Sequence, residues 1–497
     1  MERPRLCVTV TGNTLAELRR ARHAAEAVAD LVELRLDSMI NPNPEAALEG
    51  RLRPAIVTCR PTWEGGWFAG DEDERRRILE TAAQCGAEFI DVEAAAPFAS
   101  DMIRARSGRG VVVSRHVFGA PPADIQVVYD ALRATGAEVI KLAYEVTSLS
   151  DVLPLFELAA RRTSRIDDAP GHVLIAMGPA GTSSRVLASR LGNRWTYAGE
   201  GVTPGQMPAG RLLRDFGFRR VRPDAALFGV VGKPIAHSLS PVMHNAGFDA
   251  IGLNAVYLGF DARDAEDFVM FARATGLRGA SITAPFKVSL MNHVDEVEPL
   301  AKRVGAINTL IVHDGRWIGA NTDVNGFLTP LVNRIHLKKV RASVLGAGGA
   351  ARAVAVALAD QGAEVTICAR RPDAAAAIAN LANARVGSFP PQAGTWDVLV
   401  NTTTAGSDAD PENPIAGTEL DGEIVFDLVY RPAETPLLAA AREAGCLTIG
   451  GLEMLVAQAE RQFELWTGQR PPAGLFQSRA AHALSEEPAL TAQPRTV

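Results

Sequence analysis

A lysine in the middle of an apolar segment is the first residue whose surroundings suggest chemistry. Lys141 lies in EVIKLAYEV, residues 138–146, whose β-branched and apolar residues predict a strand that is buried on at least one face. An ammonium group is costly to bury unless it is paired or loses its charge. We therefore predict a catalytic role for Lys141, because a neutral lysine amine can attack a ketone and form an imine.

Arginines are predicted to lie close to this lysine. Side chains alternate between the two faces of a strand, so Glu33 and Arg35 in VELRLD share one face. We expect Arg35, Arg60 and Arg185 to surround Lys141 at the ends of successive strands. Their charge would disfavour the ammonium form of the lysine and would suit a substrate carboxylate. Any one of these residues could instead belong to an ordinary ion pair.

His116 is the candidate base of such a site. It lies near the end of the segment GVVVSRHV, where side-chain alternation places it on the polar face of the strand. A protonated imine on Lys141 would acidify the neighbouring C–H bond, and His116 could remove that proton. We predict that Glu93, at the end of the preceding strand, orients the imidazole.

A second set of polar residues lies in the C-terminal half of the chain. Lys287 in ITAPFK and Asp323 in NTDVNGF could form a charged pair, with the lysine protonating a carbonyl oxygen as hydride arrives. Ser238 and Ser240 are two residues apart and could present hydroxyls to a polyol. Composition alone would fit a structural salt bridge between the lysine and the aspartate.

A glycine-rich segment predicts the source of the hydride. In GAGGAARA, Gly346, Gly348 and Ala351 fit the spacing that lets a backbone turn approach a pyrophosphate at the start of a helix. The next predicted strand ends in VTICARR, which has no acidic residue to hold a ribose 2′-hydroxyl. Arg370 and Arg371 stand there instead and favour a 2′-phosphate, so we predict NADPH rather than NADH.

The predicted secondary structure that must position these residues differs between the two halves of the chain. Eight short apolar segments separated by amphipathic stretches predict a (β/α)8 barrel over residues 1–222, with an open doubly wound sheet as the alternative. VRPDAA interrupts this rhythm. We then predict an α/β substrate domain at 227–328, onto which 452–485 folds back, a Rossmann-type NADP-binding domain at 329–451, and a disordered tail at 486–497.

Composition limits the possible partners and location. The 497 residues carry a net charge of −6 with acidic and basic residues interleaved, which does not favour nucleic acid as a partner. No apolar stretch approaches membrane-spanning length and the N-terminus lacks a signal peptide, so we expect a cytoplasmic protein with small-molecule substrates.

We predict no metal site. His237 and His244 have no set of carboxylates or cysteines at ligand spacing beside them. The five cysteines are scattered without paired spacing, so reduced and packed thiols are expected rather than a disulfide framework or a zinc site.

The N-terminal half resembles type I 3-dehydroquinate dehydratases. The resemblance rests on the ordered motifs ELRLD, TCRPTWEGG, DVE, SRH, IKLA, MGPAGTSSR and TPGQ. It implies Lys141 as the Schiff-base lysine and His116 as the general acid/base with Glu93 as its partner. It also implies substrate contacts by Glu33, Arg35, Arg60, Arg185 and Gln206. Val202 replaces a serine that is usual in the family, and we expect Thr203 to supply the hydroxyl.

The C-terminal half, from about residue 227 to 485, resembles shikimate dehydrogenases. The motifs are GKPIAHSLSPVMHN, ITAPFK, GAINTL, NTDVNGF, NTTTAG, DLVYRPAETPLL and GLEMLVAQAERQFELWTG. The resemblance implies that Lys287 and Asp323 are the catalytic pair. The implied substrate contacts are Ser238, Ser240, Thr283, Asn308, Tyr430 and Gln458. The implied cofactor contacts are Gly346, Ala347, Gly348, Gly349, Ala350, Arg370, Arg371 and Thr402. Ser281 and Ala369 stand where asparagine is frequent in the family.

The two resemblances imply consecutive reactions. The first half would dehydrate 3-dehydroquinate to 3-dehydroshikimate, and the second would reduce that product to shikimate with NADPH. Two alternatives remain open at this point: a non-catalytic metabolite sensor built from the same folds, and a dehydrogenase that also accepts quinate. A class I aldolase would also use a barrel lysine, but the predicted arginines and the second half fit it poorly.

Overall fold

The computed structural model describes residues 3–162, 170–199, 201 and 205–486. Its described residues form two compact units. The first unit takes its residues from 1–226 and 254–276, and the second from 227–253 and 277–497. In these described ranges, every helix is too short or too polar to cross a membrane. The predicted tail at 486–497 lies almost entirely outside the described residues.

Strands and helices alternate along the first unit. The strands are β1 Arg5–Val10, β2 Leu31–Arg35, β3 Ala55–Thr58, β4 Phe89–Glu93, β5 Val111–Val117, β6 Val139–Glu145, β7 Gly171–Met177 and β8 Trp195–Ala198. The helices are α1 Leu15–Glu26, α2 Pro44–Leu48, α3 Glu72–Gln84, α4 Ala99–Ala105, α5 Ile125–Ala134, α6 Leu153–Arg162, α7 Thr182–Val186 and α8 Ala209–Arg214. After β9, Ala226–Gly232, and α9, Ser240–Ala250, the unit resumes with β10 Ala255–Asp261 and α10 Ala265–Thr275.

The eight strands β1 to β8 form one parallel, nearly closed barrel. Their order is β7-β6-β5-β4-β3-β2-β1-β8, with β1 hydrogen-bonded to both β2 and β8. Leu31, Ile56, Val112 and Val139 belong to a buried cluster that fills the interior. Lys141 is two residues beyond Val139 on β6, so its side chain points to the same side of the sheet, toward the carboxyl ends of the strands. The predicted barrel is confirmed, and the open sheet is not observed.

Helix α3 carries a strong signal for where it begins. Asp71 caps it by accepting a hydrogen bond from the backbone N–H of Glu74 at 2.6 Å. Acidic residues then occupy its first turn, where they interact favourably with the helix dipole. The helix therefore starts at a defined residue. This start determines the directions in which the side chains of the three following arginines, 75–77, point.

The second unit contains two further sheets. Its remaining strands are β11 Gly279–Ile282, β12 Glu296–Val297, β13 Thr309–His313, β14 Arg316–Ala320, β15 Arg341–Leu345, β16 Glu364–Cys368, β17 Arg385–Val386, β18 Val398–Asn401, β19 Ile424–Asp427 and β20 Leu447–Gly450. Its remaining helices are α11 Pro299–Val304, α12 Asp323–Val332, α13 Gly349–Asp360, α14 Pro372–Ala382, α15 Pro436–Glu443, α16 Gly451–Thr467 and α17 Leu475–Glu486.

The sheet of the predicted substrate domain is mixed. Within the second unit its strands run in the order β9-β11-β13-β14-β12, in which β13 is antiparallel to both β11 and β14, whereas the β9–β11 and β14–β12 pairs are parallel. The long helix α16 lies against this sheet, where the Trp466 indole N–H donates to the Leu310 carbonyl at 2.9 Å. A helix that is remote in sequence thereby packs beside the sheet in which Thr283 directly follows β11 and Asn308 directly precedes β13. The predicted domain limits themselves stay predictions.

The last sheet is parallel throughout, with the order β17-β16-β15-β18-β19-β20. The order reverses between β15 and β18, and doubly wound sheets bind ligands beyond the carboxyl ends of their strands at such a point. Helix α13 begins there directly after the glycine-rich turn, and its alanines and valines are buried in the domain core. The predicted Rossmann-type domain is confirmed.

Candidate active sites

Lys141 is held inside the barrel by two carboxylates and an aromatic ring. Its Nζ lies 2.9 Å from Asp91 Oδ2 and 3.3 Å from Glu33 Oε1, and it lies 4.3 Å from the centre of the Tyr197 ring. The side chain is only 6% exposed. These neighbours stabilise the ammonium form of Lys141, since carboxylates and an aromatic face both attract a cation.

The predicted surroundings of Lys141 therefore need a correction. We expected arginines to be its dominant neighbours, whereas carboxylates make the direct contacts. Side-chain alternation identified the correct face of each strand but could not decide which charges would pair. The arginines line the same pocket and are themselves paired with carboxylates, Arg35 with Asp37 and Arg60 with the same Asp91 that contacts Lys141.

One pocket collects most of the predicted barrel residues. Residues from six strands, from the segment after β3 and from other loops line it: Thr9, Glu33, Arg35, Arg60, Glu64, Gly65, His116, Phe118, Lys141, Ala143, Ile175, Met177, Arg185, Tyr197 and Gln206. Glu93 is absent from this lining and is fully buried. Val202 and Thr203 lie outside the described residues.

Glu64, rather than Glu93, is the partner of His116. Its Oε1 lies 3.0 Å from His116 Nδ1 and accepts the backbone N–H of His116 at 2.7 Å. Burial raises the pKa of the Glu64 carboxyl to about 7, and burial lowers the pKa of His116 well below its usual value. A neutral imidazole that donates from Nδ1 to Glu64 leaves Nε2 free to accept a proton.

Glu93 binds arginines instead, so its predicted contact with His116 is wrong. Arg60 Nη1 donates to Glu93 Oε1 at 2.6 Å, and Arg75 donates to the other oxygen. Sequence reasoning chose Glu93 because strand alternation could locate only residues inside strands. Glu64 stands in a short 3₁₀ helix, Thr62–Glu64, four residues after Arg60, and the motif RPTWEGG was the available signal.

Arg185 is the arginine of the pocket lining that has no carboxylate partner among the described residues. It is 2% exposed, and its Nη1 donates to the Tyr197 carbonyl at 3.4 Å. None of the described carboxylates forms an ion pair with it, and burial alone lowers its pKa to about 10. A buried guanidinium on the pocket wall without a carboxylate partner is suited to a carboxylate ligand.

Thr9 connects two predicted contacts and was missed in the sequence. Its hydroxyl donates to Glu33 Oε2 at 2.9 Å and accepts from Gln206 Nε2 at 3.0 Å. Thr58 donates to the other oxygen of Glu33 at 2.9 Å. Glu33 is therefore fixed by two hydroxyls and Lys141, which explains how a buried carboxylate keeps one orientation.

Lys287 and Asp323 form the predicted pair in the second unit. The Lys287 ammonium lies 2.6 Å from Asp323 Oδ2, and the two side chains are 17% and 7% exposed. Asn308 Nδ2 donates to Asp323 Oδ1 at 2.7 Å and lies 3.5 Å from Gln458 Oε1. The structure thus joins four predicted residues from two helices, α12 and α16, and two loops in one cluster.

Asn308 is itself fixed from behind by Gln462, another residue that sequence reasoning missed. Gln462 is fully buried on α16, and its amide donates to the Asn308 carbonyl at 3.1 Å and accepts from Ser281 Oγ at 2.7 Å. Ser281 occupies a position where asparagine is frequent in the family that this half resembles. Through Gln462 it helps to hold Asn308, so it connects β11 with the start of β13.

The remaining predicted substrate contacts lie at the ends of neighbouring elements. Ser238 Oγ accepts the backbone N–H of Ser240 at 3.3 Å at the start of α9. Thr283 follows β11 and its backbone N–H donates to the Val231 carbonyl at 2.9 Å. Tyr430 is half-buried after β19, and burial raises the pKa of its phenol. Ser238 and Thr283 follow the carboxyl ends of the parallel strands β9 and β11, and none of the described hydrogen bonds joins these hydroxyls to Lys287 or Asp323.

The glycine-rich turn has the shape that a pyrophosphate requires. Gly346 has φ of +108°, and a Cβ there would lie 2.7 Å from Thr402 Oγ1. The Thr402 hydroxyl donates to the Leu345 carbonyl at 2.6 Å, so it packs directly on the turn. Gly348 caps α13, whose first residue is Gly349, and the N–H groups of that helix end face the space beyond the sheet.

The cofactor turn and the charged pair are close to each other. A Cβ on Gly349 would come within 3.2 Å of Lys287 Cδ, so Lys287 passes against the start of α13. Arg370 and Arg371 follow Cys368, whose carbonyl accepts the backbone N–H of Gly346 at 2.9 Å, and both arginines are exposed. Two cations therefore stand beside the turn, which fits a dinucleotide that carries an additional phosphate.

The structure offers no support for a metal at the predicted histidines. Across the described ranges, no group of three or more His, Cys, Asp or Glu side chains could hold a metal ion. His244 is buried against Phe248, Phe463 and Trp466, and burial lowers its pKa to about 3. The imidazole is a neutral part of an aromatic core.

Comparisons with known proteins agree with both halves. Residues 6–220 match the type I 3-dehydroquinase family. Residues 230–310 match the shikimate dehydrogenase substrate-binding domain, and residues 451–477 match the shikimate 5′-dehydrogenase C-terminal domain.

Some individual relatives match only the C-terminal half of this chain, and one matches nearly all of it. A shikimate dehydrogenase (NADP(+)) of Bacillus cereus is 39% identical over 49% of this chain and 94% of its own length. A crystal structure of a shikimate dehydrogenase in complex with NADP+ superposes with a TM-score of 0.50 at 33% identity, covering 53% of this chain and 97% of that one. The chloroplastic bifunctional 3-dehydroquinate dehydratase/shikimate dehydrogenase of Arabidopsis thaliana is 33% identical over 95% of this chain and 83% of that protein. The chain therefore belongs to the family of bifunctional 3-dehydroquinate dehydratase/shikimate dehydrogenases.

Proposed function

We propose that this protein catalyses two consecutive reactions: dehydration of 3-dehydroquinate in the barrel and reduction of the resulting 3-dehydroshikimate to shikimate in the second unit. The observation that carries the first activity is one pocket containing the Lys141 amine and the His116–Glu64 pair. The observation that carries the second is the Lys287–Asp323 pair lying against the start of α13.

In the barrel, Lys141 attacks the substrate ketone after its ammonium transfers a proton to the neighbouring Glu33 carboxylate. Loss of water from the adduct gives a protonated imine, which acidifies the adjacent C–H bond. His116 Nε2 removes that proton, and the same imidazole returns it to the departing hydroxyl group. Hydrolysis of the imine then releases the unsaturated ketone and restores the amine. Arg185 binds the substrate carboxylate, because its buried charge has no carboxylate partner in the described structure.

In the second unit, Lys287 donates a proton to the carbonyl oxygen of 3-dehydroshikimate while Asp323 holds the ammonium in place. NADPH, when bound, supplies the hydride. Gly346, Gly348 and the start of α13 would hold its pyrophosphate, and Arg370 and Arg371 would hold its 2′-phosphate. Asn308 and Gln458 contact the substrate hydroxyls together with Ser238, Ser240 and Thr283.

Sodium borohydride trapping tests the covalent step. Borohydride added during turnover of 3-dehydroquinate should reduce the imine and fix substrate carbon on the peptide that contains Lys141. The Lys141→Ala protein should acquire no label on that peptide. Equal labelling of another lysine in both proteins would overturn the assignment of Lys141. Ligand binding without turnover of either substrate would instead favour a metabolite sensor.

We also propose a cytoplasmic location for the protein. Its five cysteines are all free thiols in the structure, and they would stay reduced in that compartment. Microscopy of a fluorescent fusion in the native host tests this, and an organellar signal, as the name of the plant relative would suggest, would contradict it.

A further inference from the structure

An arginine on an outer helix of the barrel is buried more completely than the arginines of the pocket. Arg75 lies on α3 and is 0% exposed. Its Nη2 lies 2.6 Å from Glu72 Oε2, its Nη1 donates to Glu93 and to the Cys59 carbonyl, and its guanidinium lies 4.7 Å from the centre of the Phe98 ring. The side chain therefore reaches from the helix layer through to β4.

Arg75 begins a line of alternating charges that ends at the Schiff-base lysine. Glu93 accepts from Arg75 on one oxygen and from Arg60 Nη1 on the other at 2.6 Å. Arg60 Nη2 then donates to Asp91 Oδ2 at 2.8 Å, and Asp91 accepts from Lys141 Nζ at 2.9 Å. Each carboxylate bridges two cations, so the position of each cation depends on the one before it.

The electrostatics of Glu93 make it sensitive to the loss of Arg75. Glu93 is fully buried, and burial raises the pKa of its carboxyl, while Arg60 and Arg75 both act in the opposite direction. The other carboxylates that face this group, Asp91 and Glu64, add negative charge. Removing one guanidinium leaves a buried carboxylate with half of its compensation, and such a change weakens the remaining interaction as well.

We propose that Arg75 is a positioning residue for dehydration: it acts through Glu93 to fix the Arg60 guanidinium, and through Asp91 it fixes the Lys141 amine. This inference rests on the proposed roles of Lys141 and Arg60. Arg75 does not line the pocket, so it has no direct contact with substrate. The proposal also gives Glu93 a role, which is to bridge Arg75 and Arg60 rather than to orient His116.

Adjacent arginines on α3 provide a matched pair of variants. Arg76 is about as remote from the pocket in sequence, but its side chain is 40% exposed and forms an ion pair with Glu80. Steady-state dehydration should be measured on the full chain carrying Arg75→Met or Arg76→Met. We expect Arg75→Met to lower kcat/KM at least about tenfold and Arg76→Met to leave it unchanged. Equal kinetic constants for the two variants would overturn the proposal.

A double-mutant cycle separates positioning from simple loss of stability. If Arg75 acts through Glu93, the Arg75→Met, Glu93→Gln double variant should be no slower than Glu93→Gln alone. Multiplicative losses would overturn the proposed path. Arg75→Lys keeps a cation beside Glu93 and should recover part of the kcat/KM lost in Arg75→Met. Where the methionine variant unfolds, Arg75→Lys replaces it in the cycle, and multiplicative losses with Glu93→Gln would again overturn the proposed path. Failure of Arg75→Lys to exceed Arg75→Met in a folded pair would contradict the proposal.

Borohydride trapping distinguishes this inference from the function on which it rests. We expect Arg75→Met still to be labelled on the peptide containing Lys141, but more slowly than the unmodified protein. Absence of label in the unmodified protein would refute the Schiff-base assignment itself. Labelling of Arg75→Met at the unmodified rate would refute only the positioning role.

Discussion

The barrel site and the dehydrogenase site treat buried charge in different ways. In the barrel, Lys141 contacts two carboxylates, and one of these continues to Arg60 and Glu93, with all of these side chains at most 6% exposed. In the second unit, Lys287 contacts one carboxylate at 17% side-chain exposure, and the other neighbours are amides and hydroxyls.

This difference follows from the chemistry proposed for each site. A covalent site must convert an ammonium to a nucleophile and later accept an iminium in the same place, so fixed counter-charges are an advantage at each step. A reductase site needs only one correctly placed proton donor, because the bound dinucleotide supplies the hydride. The number of buried charges therefore reflects the number of charged states through which the reaction passes.

Removal of Lys141 should give the largest effect and should affect one site only. We expect Lys141→Ala to reduce dehydration by ~10⁴-fold or more, since no other described amine stands in the pocket. Oxidation of shikimate by the same protein should be unchanged. Spectrophotometric assays of both reactions on one preparation measure this, and a parallel loss of both activities would contradict independent sites.

The dehydrogenase pair should show the converse behaviour with a smaller loss. Lys287→Ala removes the proton donor and Asp323→Asn removes its counter-charge, so each should lower shikimate oxidation by roughly 10²–10⁴-fold. Dehydration of 3-dehydroquinate is the internal control and should not change. Normal oxidation by both variants would mean that the ion pair is structural.

The pH dependence of dehydration should identify the partner of His116. Burial raises the pKa of Glu64 to about 7, and its protonated form no longer places a negative charge beside His116 Nδ1. Loss of that charge removes the stabilisation of the imidazolium that forms when Nε2 takes the proton, so the rate should fall as the pH drops below about 7 and should level off above it. Glu64→Gln should lower the rate by about 10–100-fold and abolish this acid limb, since the amide does not titrate there. Arg60, Glu93 and Asp91 also face Glu64 and influence the midpoint.

Glu93→Gln is the control variant for Glu64→Gln. It should keep the acid limb, because Glu93 contacts Arg60 and Arg75 rather than the imidazole. An unchanged pH profile in Glu64→Gln, together with a lost limb in Glu93→Gln, would restore the partner that the sequence suggested.

The smallest expected effect concerns cofactor choice. Arg370→Ala and Arg371→Ala each remove one exposed cation beside the glycine-rich turn, so we expect the KM for NADPH to rise about tenfold with the KM for NADH little changed. The ratio of kcat/KM for the two cofactors is the measurement. A ratio unaffected by both substitutions would remove the arginines from the cofactor site.

How much of this could be predicted from sequence depended on the kind of element involved. Strand alternation correctly placed Glu33 and Lys141 on the pocket face, and the glycine spacing located the turn at Gly346. Strand alternation could not predict which charged side chains of different strands would pair with each other. The pairing of Lys141 with Asp91 was missed for this reason. Residues outside strands gave no periodic signal, so Glu64 was overlooked in favour of Glu93.

Long-range supports were equally invisible in the sequence. Gln462 lies 154 residues from Asn308, whose carbonyl accepts from it, and Arg75 lies in a run of three arginines that resembles a solvated helix face. Only the fold shows that the first of the three is buried. Local pattern identifies which residue types can react, and tertiary contacts decide which of them are held in place.

The most direct test of two cooperating sites in one chain is NADPH consumption by the full-length protein supplied only with 3-dehydroquinate. We predict steady NADPH oxidation with shikimate as the product, and no oxidation by Lys141→Ala until 3-dehydroshikimate is added. No oxidation by the unmodified protein with either compound would contradict the account. Oxidation with 3-dehydroshikimate alone would show that the barrel does not dehydrate 3-dehydroquinate.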